Sequence, residues 1–100
     1  MASYTVAKIS EIPEGDCKSV TVDGEAIALF NVGGKFYATE DTCKHRGGSL
    51  GKGTLNESIV TCPLHGWTYN VTDGACEMNP QVKLNTYPVS VEGETIVIEK

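Results

Sequence analysis

The chain is poor in positive charge: 8 Lys and Arg stand against 13 Asp and Glu in 100 residues, a net charge of −5. Non-specific nucleic-acid binding needs a basic footprint that displaces counterions from phosphate, and an anionic membrane surface attracts the same residues. Both classes are therefore disfavoured, and the fitting partner is one with a basic patch. Long apolar runs are missing too, and none approaches the length that spans a bilayer. The N-terminus, from Met1 to Lys8, lacks a basic segment followed by an apolar one, so no signal peptide is expected and the expected location is cytoplasmic. Helical periodicity is almost absent, as are internal repeats, low-complexity tracts and linkers. No Ser/His/Asp set, no carboxylate pair in a cleft and no phosphate-cradling loop is visible, which argues against an enzyme acting alone.

What remains is a globular composition, 40% hydrophobic and 21% charged, on a chain long enough for one core. A single domain over residues 1–100 is expected. Short β-rich runs are punctuated by turn signals: Tyr4 to Ile9, Lys18 to Val22, Glu25 to Val32 and Lys35 to Thr39 form an opening β-meander, with Asp23-Gly24 and Gly33-Gly34 as hairpin turns. Thr86 to Val91 and Thr95 to Glu99 close the chain around a turn at Glu92-Gly93-Glu94. Many short strands with regular turns imply an all-β fold, an antiparallel β sandwich or barrel.

The middle, about residues 40–83, has a different texture. It holds both histidines, three of the four cysteines and the only Trp. Its strand candidates are Ser58 to Thr61 and Trp67 to Val71. Cys43-Lys44-His45 is followed, after sixteen residues, by Cys62-Pro63-Leu64-His65, so two segments each offer one thiol and one imidazole. Thiols without an export signal favour metal binding or burial over disulfides. A structural zinc ion accepts a Cys₂His₂ set, but commonly takes its cysteines from one knuckle and its histidines from the other. The mixed pairing here suits a [2Fe-2S] cluster with two thiolates on one iron and two imidazoles on the other.

The pattern C-x-H…C-x-x-H, with Pro63 after the second Cys and Gly66 after the second His, resembles the Rieske iron–sulfur proteins over essentially the whole chain. The resemblance implies a cluster-binding subdomain formed by two loops, with Cys43 and Cys62 on the buried iron. It places His45 and His65 on the exposed iron through Nδ1, leaving Nε2 toward solvent. Lys44, Arg46, Gly47, Gly48 and residues from Leu64 to Trp67 would offer backbone N–H groups to the sulfurs, which raises the potential. A third, proline-containing loop at Asn79-Pro80 would cover the cluster, and Tyr69 would donate to a ligand sulfur.

Departures from the pattern carry information. The quinol-oxidising members have a second Cys in each loop, joined as a disulfide; here those positions are Gly48 and Leu64, so that bridge is impossible. Those members also carry a Ser donor where Trp67 stands. Its loss implies a potential at the low end of the Rieske range, about −150 mV, with proton coupling confined to alkaline solution.

The resemblance thus implies a soluble one-electron carrier, a monomer that docks transiently at the His45/His65 edge between a flavin-dependent reductase and a terminal oxygenase. Two other readings stand beside it: the small subunit of an assimilatory nitrite reductase, and a structural zinc module. Cys17 and Cys76, outside the ligand spacing, read as small core residues, and Trp67 and Met78 as packing residues. Glu40 and Asp41 read either as docking charges or as solvated loop charges.

Overall fold

The structure, a computed structural model, describes residues 2–42, 48–63, 66–77, 79 and 81–100. Among the described residues, ten strands make three antiparallel sheets and no α-helix occurs. Strands β1 (Ser3–Lys8), β10 (Thr95–Glu99) and β9 (Val89–Glu92) form the first sheet. The second runs β2 (Cys17–Val22), β3 (Glu25–Val32), β4 (Lys35–Glu40) and β8 (Thr86–Tyr87). The third comprises β5 (Thr54–Asn56), β6 (Ile59–Thr61) and β7 (Thr68–Asn70).

β3 explains how these sheets stack. A strand with one solvated face alternates apolar and polar residues, whereas a strand covered on both faces reads as a continuous apolar run. Ala26 to Phe30 is such a run. Ile27 and Leu29 pack with Ile96 and Ile98 of β10 and with Ile12, Val22 and Ala38 in one core. Ala28 and Phe30 point the other way, into a second core with Leu50, Leu55, Val60, Cys62, Tyr69, Val71, Cys76 and Leu84. The second core joins the third sheet to the rest of the molecule.

The antiparallel all-β class expected from the sequence is the one observed, with two corrections. The opening third is not one meander: β2, β3 and β4 pair in order, but β1 leaves them and pairs with β10, Tyr4 opposite Ile98. The run from Thr86 to Val91 is also two strands. Pro88 supplies no N–H for a ladder, and the chain changes sheets there, β8 pairing with β4 and β9 with β10.

The C-terminal residue is tied to the β2–β3 hairpin. Lys100 Nζ lies 3.0 Å from Glu25 Oε1 and donates to the Val22 carbonyl at 2.9 Å. Tyr87 donates to the same Glu25 carboxylate; partial burial, then the Glu25 charge and this bond, push the phenol up to about 12. The folded chain therefore keeps a proton that the unfolded chain releases near pH 10. Stability from this contact is complete below about pH 10 and falls as pH rises towards 12. Urea titrations across that window are expected to show the fall in the parent chain and a flatter profile in Tyr87→Phe.

Candidate metal centre

The segment that carries Cys43 and His45 in the sequence is bracketed by a closed base. β4 ends at Glu40, and Thr42 and Ser49 form an antiparallel bridge that pinches off the segment between them. Asp41, 5% exposed, locks this base. Its carboxylate Oδ2 accepts from Ser19 Oγ at 3.0 Å and Ser49 Oγ at 2.7 Å, and Oδ1 accepts from the Gly51 N–H at 2.8 Å. Its backbone N–H donates to Ala26 O and its carbonyl accepts from the Leu50 N–H. A single 3₁₀ turn, Leu50–Lys52, then leads into β5.

β5 and β6 bring the second loop to the same place. Thr54 at the start of β5 pairs with Thr61 at the end of β6, and Thr61 pairs in turn with Thr68 of β7. Residues just before Thr54 and just after Thr61 therefore share one end of the sheet. Cys62 follows at once, 1% exposed, its N–H donating to the Trp67 carbonyl at 2.7 Å. That bond brings Cys62 and Trp67 together across the end of the sheet, with the thiol-bearing residue directly after β6. Tyr69 is wholly buried in the same core as Cys62 and Leu50, and half-buried Trp67 packs against it.

A third segment arrives at this end. Cys76 bridges Tyr69, and the Glu77 N–H donates to Thr68 O, so residues 75–77 run alongside β7. The chain then turns back, with Cys76 N–H donating to Val82 O and Asn79 accepting from Val82 N and Gln81 N.

Of the four residues singled out as ligands, the structure places Cys62. Cys43, His45 and His65 lie outside the described residues, as do Lys44, Arg46, Gly47, Leu64, Met78 and Pro80. Cys17 and Cys76 read as core residues, as expected. Cys76 is buried in the second core. Cys17 Sγ sits 3.5 Å from Gly53 O and 3.9 Å from Leu50 O. Burial, reinforced by Asp16 and Asp41, pushes the Cys17 thiol up and keeps it protonated, unlike a thiolate ligand.

Neither sequence reading of Asp41 holds, because it is a buried structural anchor. Glu40 is also engaged: its backbone N–H and Oε1 both bond the Asn85 backbone, at 2.9 and 2.8 Å. The donors to the Asp41 carboxylate come from residues 22, 8 and 10 positions away, so no local motif announces them.

The arrangement fits an iron–sulfur group. A buried thiol directly after β6 meets the need of an inner iron, and the sequence supplies one further thiol and two imidazoles within the two Cys/His segments. Comparison with known proteins bears directly on this. The Rieske [2Fe-2S] domain family matches residues 2–88, and the chain belongs to that family.

Among its relatives, the ferredoxin component of the naphthalene 1,2-dioxygenase system of Pseudomonas aeruginosa is 39% identical over 90 residues, covering 89% of this chain and 86% of the relative. The 3-phenylpropionate/cinnamic acid dioxygenase ferredoxin subunit of Escherichia coli K12 is 40% identical over 93 residues, covering 91% and 87%. Among solved structures, the Sphingomonas yanoikuyae B1 ferredoxin superposes with a TM-score of 0.90 at 27% identity, covering 99% of both chains. A chain from the complex of reduced oxygenase and oxidized ferredoxin in carbazole 1,9a-dioxygenase superposes at 0.88 with 34% identity, covering 96% of this chain and 91% of that one.

Family membership decides between the two metals left open by the spacing: the cofactor is a [2Fe-2S] cluster, and the chain is an electron-transfer component rather than an enzyme. No helix among the described residues is long and apolar enough to cross a membrane.

Proposed function

We propose that this chain carries single electrons from a flavin-dependent reductase to a terminal oxygenase, in the manner of the dioxygenase ferredoxins it resembles. The observation that carries the reading is buried Cys62 at the end of β6, its N–H bonded to the Trp67 carbonyl, in a chain that belongs to the Rieske [2Fe-2S] domain family. Cys43 and Cys62 hold the inner iron and His45 and His65 the outer one. When bound, the cluster supplies storage for one electron and offers no open coordination site for substrate.

The polypeptide does the rest. Cys62 stays out of water beneath its loop, so the cysteine side of the site is insulated by protein. The histidine side meets the partner, over the small, short-lived interface typical of redox encounters, under about 1,200 Å² in total. An acidic carrier is drawn there by a partner's basic patch. Residues 1–100 act as one domain, with residues 40–83 as its cluster-binding subdomain, and the protein works as a cytoplasmic monomer.

Two measurements test the reading. Mixing the reduced protein with the oxidised oxygenase component of an aromatic-ring dioxygenase is expected to re-oxidise it within seconds. No re-oxidation by any such oxygenase, together with a permanent complex with a large reductase subunit, would favour the nitrite reductase alternative. A redox titration is expected near −150 mV, because Trp67 stands where a hydroxyl donor raises the potential of quinol-oxidising relatives. A midpoint well above 0 mV would contradict that argument.

A further inference from the structure

We propose that Asp41 is the positioning residue of the first cluster loop, fixing from outside the ligand set the point at which the chain leaves β4 ahead of Cys43 and His45. The inference rests on the reading of Cys43 and His45 as ligands.

Asp41 is the last buried residue before the ligand segment, two positions ahead of Cys43. Its carboxylate joins three separate pieces of chain. Ser19 belongs to β2, which is separated from β4 by β3; Ser49 closes the far side of the loop; and Gly51 is the middle residue of the 3₁₀ turn. A buried carboxylate without partners is costly, and charge-assisted hydrogen bonds are about twice as strong as neutral ones. The exit of the loop from β4 and its return through Ser49 are thus held to one rigid anchor.

The need for an anchor at this point is physical. The β5–β6–β7 hairpin and the second core already fix Cys62. The first loop has no hairpin of that kind beneath it; its base is one isolated bridge, Thr42 to Ser49. Without the carboxylate, the base of the first loop is held by that bridge, by two backbone bonds of Asp41 and by the packing of Leu50 in the second core, and the tie from the loop's exit to Ser19 of β2 is lost. Ligands on a poorly fixed loop lose their cluster faster and present a wider range of geometries to it.

The test uses the full chain carrying its cluster. Asp41→Ala is expected to speed cluster loss to a chelator, followed by bleaching of the visible absorption, by about tenfold or more, the scale set by losing hydrogen bonds to a charged group. Asp41→Asn, which keeps one carbonyl acceptor for the Gly51 N–H, is expected to lie between the two. In the fraction still loaded, the EPR g-values and the midpoint potential are expected to shift.

A role in fold stability alone would lower the melting temperature and leave release rate, g-values and potential at the parent's values; that result would overturn the proposal. Should Asp41→Ala fail to fold, Asp41→Asn and Ser49→Ala carry the same comparison. A parent protein without a histidine-ligated EPR signal would remove the reading beneath, whereas a normal parent signal with unaltered variants would remove only the role of Asp41.

Discussion

Replacing His65 by alanine is expected to reduce electron delivery to background. The argument starts from the number of donors. Both histidines of the chain fall in the two Cys/His segments, so no spare imidazole is available to replace the one removed. The remaining cysteines are equally unhelpful, since Cys76 is buried in the second core and Cys17 is held as a neutral thiol beside Leu50 and Gly53. On the proposed ligand assignment, an outer iron left with one imidazole would be open to water, and the edge proposed for electron exit would be incomplete. The check is reduction by dithionite followed by re-oxidation by an oxygenase component, read optically. Cys17→Ala serves as the control and is expected to match the parent protein in rate. Electron delivery by His65→Ala at the parent's rate would refute the ligand assignment.

Gly53→Ala is expected to destabilise the fold by about 1–3 kcal/mol and to lower cluster content with it. The backbone of Gly53 lies in the ordinary extended region, φ −84°, so the glycine is needed for space rather than for a left-handed turn. A methyl group there collides with the carbonyl oxygen of Thr61 and crowds the Leu50 carbonyl at 3.3 Å. Thr61 cannot step aside cheaply, because it pairs with Thr54 on one side and Thr68 on the other. It also immediately precedes Cys62, so any displacement reaches a proposed ligand. The contrast is Gly24→Ala, where nothing lies within 4 Å but φ is +81°, and only the left-handed conformation, about 1–2 kcal/mol, is at issue. Urea midpoints and iron content for the two variants separate these cases: iron is expected to fall in Gly53→Ala and to stay at the parent level in Gly24→Ala. Equal iron in both would show that the close approach at Gly53 does not reach the site.

Much of this was legible in the sequence because it is locally encoded. β3 spans Glu25–Val32, the same bounds as the β-rich run in the sequence, and the Asp23-Gly24 turn has both residues at positive φ, as a tight hairpin requires. The two Cys/His segments are legible for the same reason: ligand chemistry lies in residue type and spacing. The features not foreseen depend on distant partners. β5 is three residues long, too short to show alternation, and exists because β6 folds back on it. β1 pairs with β10 across the length of the chain, a choice no local pattern records. Asp41 looked like a surface charge since its serine and glycine donors meet it only after folding. Pro88 marked a break in advance, yet its consequence, a change of sheet, depends on which edges β4 and β10 leave free.

The most direct test of the account is the EPR spectrum of the dithionite-reduced protein, taken beside the optical spectrum of its oxidised form. A red-brown protein with a rhombic signal of average g below 2 is the predicted result, since two imidazoles on one iron of a [2Fe-2S] cluster give that signature. A colourless protein holding one zinc ion per chain, silent by EPR, would contradict it.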